Sequence, residues 1–412
     1  MKILWVKSGP LFPLNTGGRR RTHAMVQELA KNHEVTYLAL LPEGQSLADG
    51  EADAPYAQEK IWIPNPEPPK RSPGFFLALL KNFLFSIDPY ILDRYKNATF
   101  SEKLLELDAS GQFDRIICDF LTPAINFEFD RIQTPTILFQ HNVEAQIWKR
   151  LAGEQSNPVT RLYFRDQYRR MWSAEQRLSR PFAGVITVSE EDAEQCRREY
   201  GLTNVLGAVP TGVDTEFFCP PTPRTPEPGL IGFLGSMDWM PNIECVEYFV
   251  DEIYPRVREH YPDARFRIIG RDPAPRVRQL AEQDSSIEVT GTVDDVRPHL
   301  DACEILVVPL RSGGGTRIKI FEAMAQGVPV VSTTIGAEGL PSKNGETISI
   351  ADGAENFAEA VIEILASPQQ GDIIASQARL RLVNNHSWET VIHRFTQLCS
   401  IVLERSNCRE NR

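Results

Sequence analysis

Pro309-Leu-Arg-Ser-Gly-Gly-Gly-Thr-Arg-Ile-Lys-Ile-Phe-Glu-Ala-Met-Ala-Gln-Gly-Val-Pro-Val-Val-Ser332 reads as the end of a buried strand, a glycine turn, a helix and a second strand. The run before it, Glu304 to Val308, is short and apolar, as a parallel strand covered on both faces should be. From Thr316 to Gln326 the apolar residues Ile318, Phe321 and Ala325 fall at helical spacing, and Gly327 supplies the stop. A helix entered from a glycine turn directs unpaired N–H groups at whatever lies above it, and bare glycine lets a ligand approach. Gly314, Gly315 and Thr316 form that approach, and Arg311, Arg317 and Lys319 add positive charge. The combination suits a diphosphate. Glu322, just past the first helical turn, would repel phosphate but could accept hydrogen bonds from a ribose diol. The plainer alternative is a glycine-rich surface loop leading into a core helix.

This stretch resembles the signature of the retaining glycosyltransferases of the large bacterial group 1 family (glycosyltransferase family 4-like), which have the GT-B fold. In that family a Glu-x7-Glu motif crosses the turn and helix, and Glu322-Ala-Met-Ala-Gln-Gly-Val-Pro-Val-Val331 matches its second half. The first glutamate is replaced by Gly314, so the donor-sugar contact made by that residue in the family does not carry over. The resemblance implies an α/β protein of two Rossmann-like domains facing across a cleft. A nucleotide sugar would be held mainly by the second domain and an acceptor by the first.

The totals agree with two domains. A chain of 412 residues exceeds one ordinary core, and 42% hydrophobic content is that of a globular protein. A net charge of −11 argues against a nucleic-acid partner, because phosphate contacts need a basic surface. The seven cysteines form no Cys-x-x-Cys pair, which fits buried thiols in a reducing compartment better than disulfides or zinc. No signal-peptide core follows Met1-Lys2, and no apolar run approaches the ~20 residues needed to span a bilayer. The expected location is cytoplasmic, with the inner face of the membrane as a place for peripheral contact.

Outward from the central stretch, Ile3 to Val6 is a first buried strand, followed by a glycine turn ending in Gly17-Gly18, a helix, and a strand from Glu34 to Leu40. In the family this Gly-Gly pair lies under the donor's phosphates and reacting centre, a role the resemblance gives to Gly17 and Gly18. Arg19 to Arg21 either assist there or form a solvated first turn. Pro64 to Pro73 reads as a break, and Phe75 to Phe85 as an apolar helix flanked by Lys70, Arg71 and Lys81. Its shortness favours packing against the first sheet. The other reading is a basic-aromatic element for a membrane or a lipid-linked acceptor.

Phe113 to Asp119 and Pro135 to Glu144 read as strands with functional tips, since sheets of this kind bind ligands at the carboxyl ends of their strands. His141 stands at such an end. Many family members carry a histidine there facing the donor sugar, so His141 is the catalytic candidate, with Asn142 and Glu144 secondary. Lys149 to Arg180 reads as helical and arginine-rich, either a solvated basic face or a face for anionic lipid.

Val209 to Phe218 resembles the family's Asn-Gly-Val-Asp segment, and a proline-rich linker follows. The expected domains are 1–215, completed by a C-terminal helix at about 388–412, a linker at 216–228, and a nucleotide-sugar domain at 229–387. The loop Ser236 to Asn242 lacks the arginine and lysine with which many relatives grip the diphosphate, so that role passes by charge to Arg311, Arg317 and Lys319. The family's Gly-x-Val segment meets the base through its backbone, which implies Thr292 and Val293.

The expected reaction moves a sugar from a nucleotide-sugar donor to a glycan, lipid-linked or small-molecule acceptor, with retention. The chain has no Asp-x-Asp, and neither a metal nor a cofactor is called for. The alternatives are a sugar-nucleotide epimerase and a non-catalytic sugar-nucleotide-binding protein.

Overall fold

A computed structural model describes every residue except 15, 43–45, 48–54, 70–71, 155–156, 313–316, 341 and 411–412. The expected turn residues Gly314, Gly315 and Thr316 therefore lie outside the described residues. The chain divides into two compact units, Met1–Pro210 with Val391–Arg412, and Thr211–Thr390.

The first unit is built on seven parallel strands: β1 (Lys2–Lys7), β2 (Glu34–Pro42), β3 (Glu59–Asn65), β4 (Arg115–Asp119), β5 (Thr136–Phe139), β6 (Gly184–Thr187) and β7 (Val205–Ala208). Their order is β3-β2-β1-β4-β5-β6-β7. The central strands are apolar runs because helices cover both faces, and Leu4, Val6, Ile116, Cys118, Leu138 and Val185 are buried together. Successive strands add outward from β1 in one direction and then, from β4, in the other. The β1/β4 junction is thus the switch point, the place where open sheets of this kind bind ligands.

The second unit repeats the plan with six strands: β8 (Leu230–Leu234), β9 (Arg265–Ile269), β10 (Ile287–Gly291), β11 (Ile305–Val308), β12 (Val330–Ser332) and β13 (Ser349–Ile350), in the order β10-β9-β8-β11-β12-β13. Its switch point lies between β8 and β11.

The helices used below are α1 (Gly17–Ala30), α2 (Pro73–Phe85), α3 (Glu144–Glu154), α4 (Pro158–Ser179), α5 (Ile318–Ala325) and α6 (Trp388–Glu410). Phe395 of α6 packs on Trp5 and Phe139, which ties the end of the chain to the first sheet.

Four local expectations change. The stretch ahead of the proline-rich break carries an edge strand, β3, which tolerates Pro64 because an edge position need not donate a ladder hydrogen bond on both sides. The basic helical region is two helices; Asn157 caps the second, α4, by accepting from Val159 N, with Pro158 at its first position. Cys219 is exposed, unlike the buried Cys118, Cys196, Cys245, Cys303 and Cys399. Finally, α2 does not pack its apolar side on the sheet: its one buried residue is Asn82, and Phe76, Leu77, Leu80 and Leu84 face solvent.

Candidate functional site

In the second unit the chemistry collects at the carboxyl edge of the sheet, at the switch point. β8 ends in Leu234-Gly235, and α5 starts after the turn that follows β11. Lys319, in the first turn of α5, sends its ammonium toward the β8 loop. There Nζ donates to Asn242 Oδ1 at 2.8 Å and lies 4.1 Å over the Phe233 ring. Glycine at 235 leaves the space for it, since a Cβ there would stand 2.8 Å from Nζ. Burial pulls the Lys319 ammonium down to about 8, and the charge of Arg317 pushes the same way, while Glu322 opposes. It is therefore a cation at neutral pH with its proton held loosely.

Arg317 occupies the N-cap position of α5, is buried, and directs Nη2 at the Ile335 carbonyl, 3.4 Å away. Arg311 is more exposed, with its guanidinium 4.3 Å over Tyr248 and 3.9 Å from Glu252. All three cations act on the buried Cys245 thiol, although burial is the larger influence and raises it to about 12. The three side chains point apart, Lys319 to Asn242 of the β8 loop, Arg317 to the Ile335 carbonyl and Arg311 to Tyr248 and Glu252. Glu322 is half-buried one turn along α5, close enough to be felt by Lys319. Thr292 and Val293 follow the end of β10, an edge strand two places from β8; Thr292 is exposed and Val293 packs on the core.

The first unit holds a buried charge network at its own switch point. Lys7 ends β1 and Asp119 ends β4, and the two strands are neighbours. Asp119 Oδ2 accepts from Lys7 Nζ at 2.7 Å, Thr22 Oγ1 at 2.6 Å and Trp5 Nε1 at 3.1 Å. The other oxygen, Oδ1, lies 2.7 Å from His141 Nε2, which follows β5. Burial alone would raise the Asp119 carboxyl, but Lys7 and His141 outweigh it and hold the group well below the usual range. Burial lowers His141 to about 4, against the pull of Asp119, so the ring is neutral at pH 7. The 2.7 Å contact lacks the alignment of a hydrogen bond, but beside a carboxylate that can only accept, Nε2 is the ring nitrogen placed to carry the proton of the neutral imidazole.

Three further features fix the ring. It stacks on Phe120 with centroids 3.8 Å apart, and Phe120 in turn has a positive φ of 72°. A side chain that bulky adopts this backbone region only when its surroundings demand it. Gly18, near the start of α1, faces the same ring: a Cβ there would come within 2.9 Å of Phe120 Cζ. Gly17 opens the helix, behind the N-cap Thr16. Arg21 is not part of a solvated turn; it is buried and donates to the Val209 carbonyl at 2.7 Å, while Arg19 and Arg20 bond the carbonyls of Pro13 and Leu14.

Beyond the histidine, Glu175 accepts from Gln140 and from the first backbone N–H groups of α3, Glu144 and Ala145. Burial raises both Glu175 and Glu144 to about 7. Sequence reasoning missed Lys7 as a site residue and read Asp119 only as part of a strand tip. The available signal was a charged residue closing each of two apolar central strands.

Residues 228–367 match the family model described as "Glycosyl transferases group 1", and residues 15–217 match "Glycosyltransferase Family 4". The chain belongs to the group 1, family 4-like glycosyltransferases. Among relatives of this family member is the GDP-mannose-dependent alpha-(1-6)-phosphatidylinositol monomannoside mannosyltransferase of Mycolicibacterium smegmatis. It is 27% identical over 242 residues, which is 53% of this chain and 62% of that protein. The D-inositol 3-phosphate glycosyltransferase of Rhodococcus opacus is 26% identical over 236 residues, half of each chain. The matches thus span less than two thirds of the length of these two relatives.

Among solved structures, the sucrose-phosphate synthase of Thermosynechococcus elongatus has a TM-score of 0.69 at 16% identity, covering 98% of this chain and all of its own. The Anabaena HepE protein in complex with UDP and glucose has a TM-score of 0.64 at 14% identity, covering 97% and 99%. The family member therefore has the GT-B fold, an α/β architecture with two Rossmann-like sheets.

Proposed function

We propose that this family member transfers a sugar from a nucleoside diphosphate donor to a hydroxyl of a glycan, lipid-linked or small-molecule acceptor, with retention and without a metal. The observation that carries the reading is that Arg317 caps α5 and Lys319 lies in its first turn with its ammonium on the β8 loop, at the carboxyl edge of the second sheet, with Arg311 just ahead of the turn. A nucleoside diphosphate leaving group gains charge as the bond from the anomeric carbon to the phosphate oxygen breaks. Fixed cations and helix N–H groups stabilise that charge as it forms. Glu322 would take the ribose hydroxyls, and the backbone at Thr292 and Val293 the base.

On the sugar's side the reading assigns His141. Its free Nδ1 accepts a hydrogen bond from a sugar hydroxyl, and its neutral ring tolerates positive charge developing at the anomeric carbon. Lys7 and Asp119 act through it as positioning residues, by fixing the tautomer and the ring plane. The acceptor oxygen forms the new bond on the face the phosphate leaves, and its proton passes to the departing phosphate oxygen. The names of the relatives support a nucleotide-sugar donor: one is GDP-mannose-dependent, and HepE was solved with UDP and glucose.

The test is incubation with individual UDP- and GDP-sugars, following released nucleoside diphosphate with and without acceptor. Transfer requires release that rises when acceptor is added. Epimerised nucleotide sugar, or binding without release from any donor, would replace this reading with one of its two alternatives.

A further inference from the structure

Helix α2 is apolar on more than one side: Phe75, Ala78 and Leu79 are half-buried beside the buried Asn82, and a second apolar face is left outside. Ser72 caps it by accepting from Phe75 N at 3.1 Å, and its sequence Pro-Gly-Phe-Phe-Leu-Ala-Leu-Leu-Lys-Asn-Phe-Leu-Phe has a single charge. Phe76, Leu77, Leu80 and Leu84 share one face by helical spacing, and that face is in solvent; Phe85 and Ile87 beyond it are 83% and 77% exposed. The buried residue is instead Asn82, whose amide donates to the Asp88 carbonyl at 3.0 Å and the Asp93 carboxylate at 3.1 Å.

A second anchor comes from α4. Arg170 donates to the carbonyls of Asn82 and Phe83, at 2.9 and 2.7 Å, and to that of Ser86, so it closes the C-terminal end of α2. The outward stripe is therefore held outward by specific polar bonds. A contiguous apolar face of this size on a soluble protein marks a binding surface.

Charge decides what binds. Lys81 is exposed on α2, and α4 presents the exposed cations Arg165 and Arg169 close to the exposed apolar Leu162 and Val159. α2 has no acidic residue, and Asp166 of α4 is paired with Arg170 at 2.8 Å. Arg170 joins the two helices, so these exposed cations and apolar side chains stand on adjoining elements of a chain whose net charge is −11. A second copy of the chain docking face to face would set these cations against themselves. Anionic headgroups over an acyl layer complement both features. No described helix is long and apolar enough to cross a membrane.

We propose that α2 and the first turns of α4 form a docking surface for an anionic lipid bilayer, with α2 lying in the interface. The stripe from Phe76 to Leu84 enters the acyl boundary, and Lys81, Arg165 and Arg169 meet the phosphates.

Flotation with vesicles of phosphatidylcholine alone, or with one third phosphatidylglycerol, tests this against two double variants, Leu80→Glu/Leu84→Glu and Arg165→Gln/Arg169→Gln. The wild type should float with the anionic vesicles far better than with the neutral ones, and raised salt should release it. The leucine variant should lose binding, and the arginine variant should lose anionic preference by about tenfold or more. Both should keep the wild-type melting temperature and nucleoside diphosphate affinity, because the substituted side chains are exposed and distant in sequence from the nucleotide residues. Absence of binding to anionic vesicles, or undiminished binding by both variants, overturns the proposal. So does a homodimer that the leucine variant dissociates, which would make the face a protein interface. If the leucine variant melts early, the arginine variant alone decides.

Discussion

Replacing Asp119 by asparagine tests the buried network most sharply. The change keeps the shape of the side chain but removes the charge that three donors and His141 share. Lys7, whose side chain is only 8% exposed, is left as a cation without its counter-ion. Removing one partner of such a buried pair costs about 3–5 kcal/mol. Lys7 can relieve part of this by losing its proton, since burial already lowers its pKa. A base whose folded pKa is depressed is least harmful to stability at high pH, so the deficit should shrink as pH rises and grow as it falls. The double variant Lys7→Met/Asp119→Asn, which removes both charges, should recover most of the lost stability. It should not recover turnover, because His141 has lost the carboxylate that sets its tautomer; kcat should stay down by roughly 10²-fold. Urea melts at several pH values and a full double-mutant cycle measure this. A coupling energy below about 0.5 kcal/mol would show that Lys7 and Asp119 are not an ion pair, and the argument for His141's tautomer would fall with it.

Other outcomes follow from the same geometry. Glu322→Ala should weaken nucleoside diphosphate binding by about 1.5–3 kcal/mol, one to two decades, if its carboxylate takes the ribose; unchanged calorimetry in a folded variant removes it from the site. His141→Ala should lower kcat by roughly 10²-fold while leaving free nucleotide affinity nearly intact; full turnover would make the residue structural. The His141 ring should titrate near 4 by NMR, and because that lies below its unfolded value of 6.5, its neutral form should favour folding above 6.5, an advantage lost as pH falls toward 4. A His141 signal titrating at 6 or higher would contradict the burial argument.

The strand framework was legible because apolar runs such as Ile3 to Val6 and Glu304 to Val308 are closed by glycine turns, and such runs have few alternatives to a covered parallel sheet. The cations at and just before α5 were legible for a similar reason: Arg311, Arg317 and Lys319 sit within nine residues of one another. What could not be read was pairing at a distance. Lys7 and Asp119 are 112 residues apart and meet only because β1 and β4 are neighbours. Lys319 reaches Asn242 across 77 residues, so a loop that looked empty of cations receives one from another element. Helix α2 shows a different limit. Its apolar run at helical spacing gives the helix, but a run apolar on nearly every side carries no information on which face meets the protein. That was settled by Asn82, Asp93 and Arg170, contacts with no local signature.

The central claim, that the second unit grips a diphosphate through the charges at α5, is tested most directly by calorimetric titration of UDP, GDP and the corresponding nucleosides into wild type and Lys319→Ala. The account predicts that one diphosphate binds far better than its nucleoside, that Lys319→Ala loses about 1.5–3 kcal/mol of that difference, and that wild-type affinity falls once pH rises past about 8, where Lys319 gives up its proton. Equal affinity for nucleoside and diphosphate, or a Lys319→Ala protein that binds diphosphate like the wild type at every pH, would contradict it.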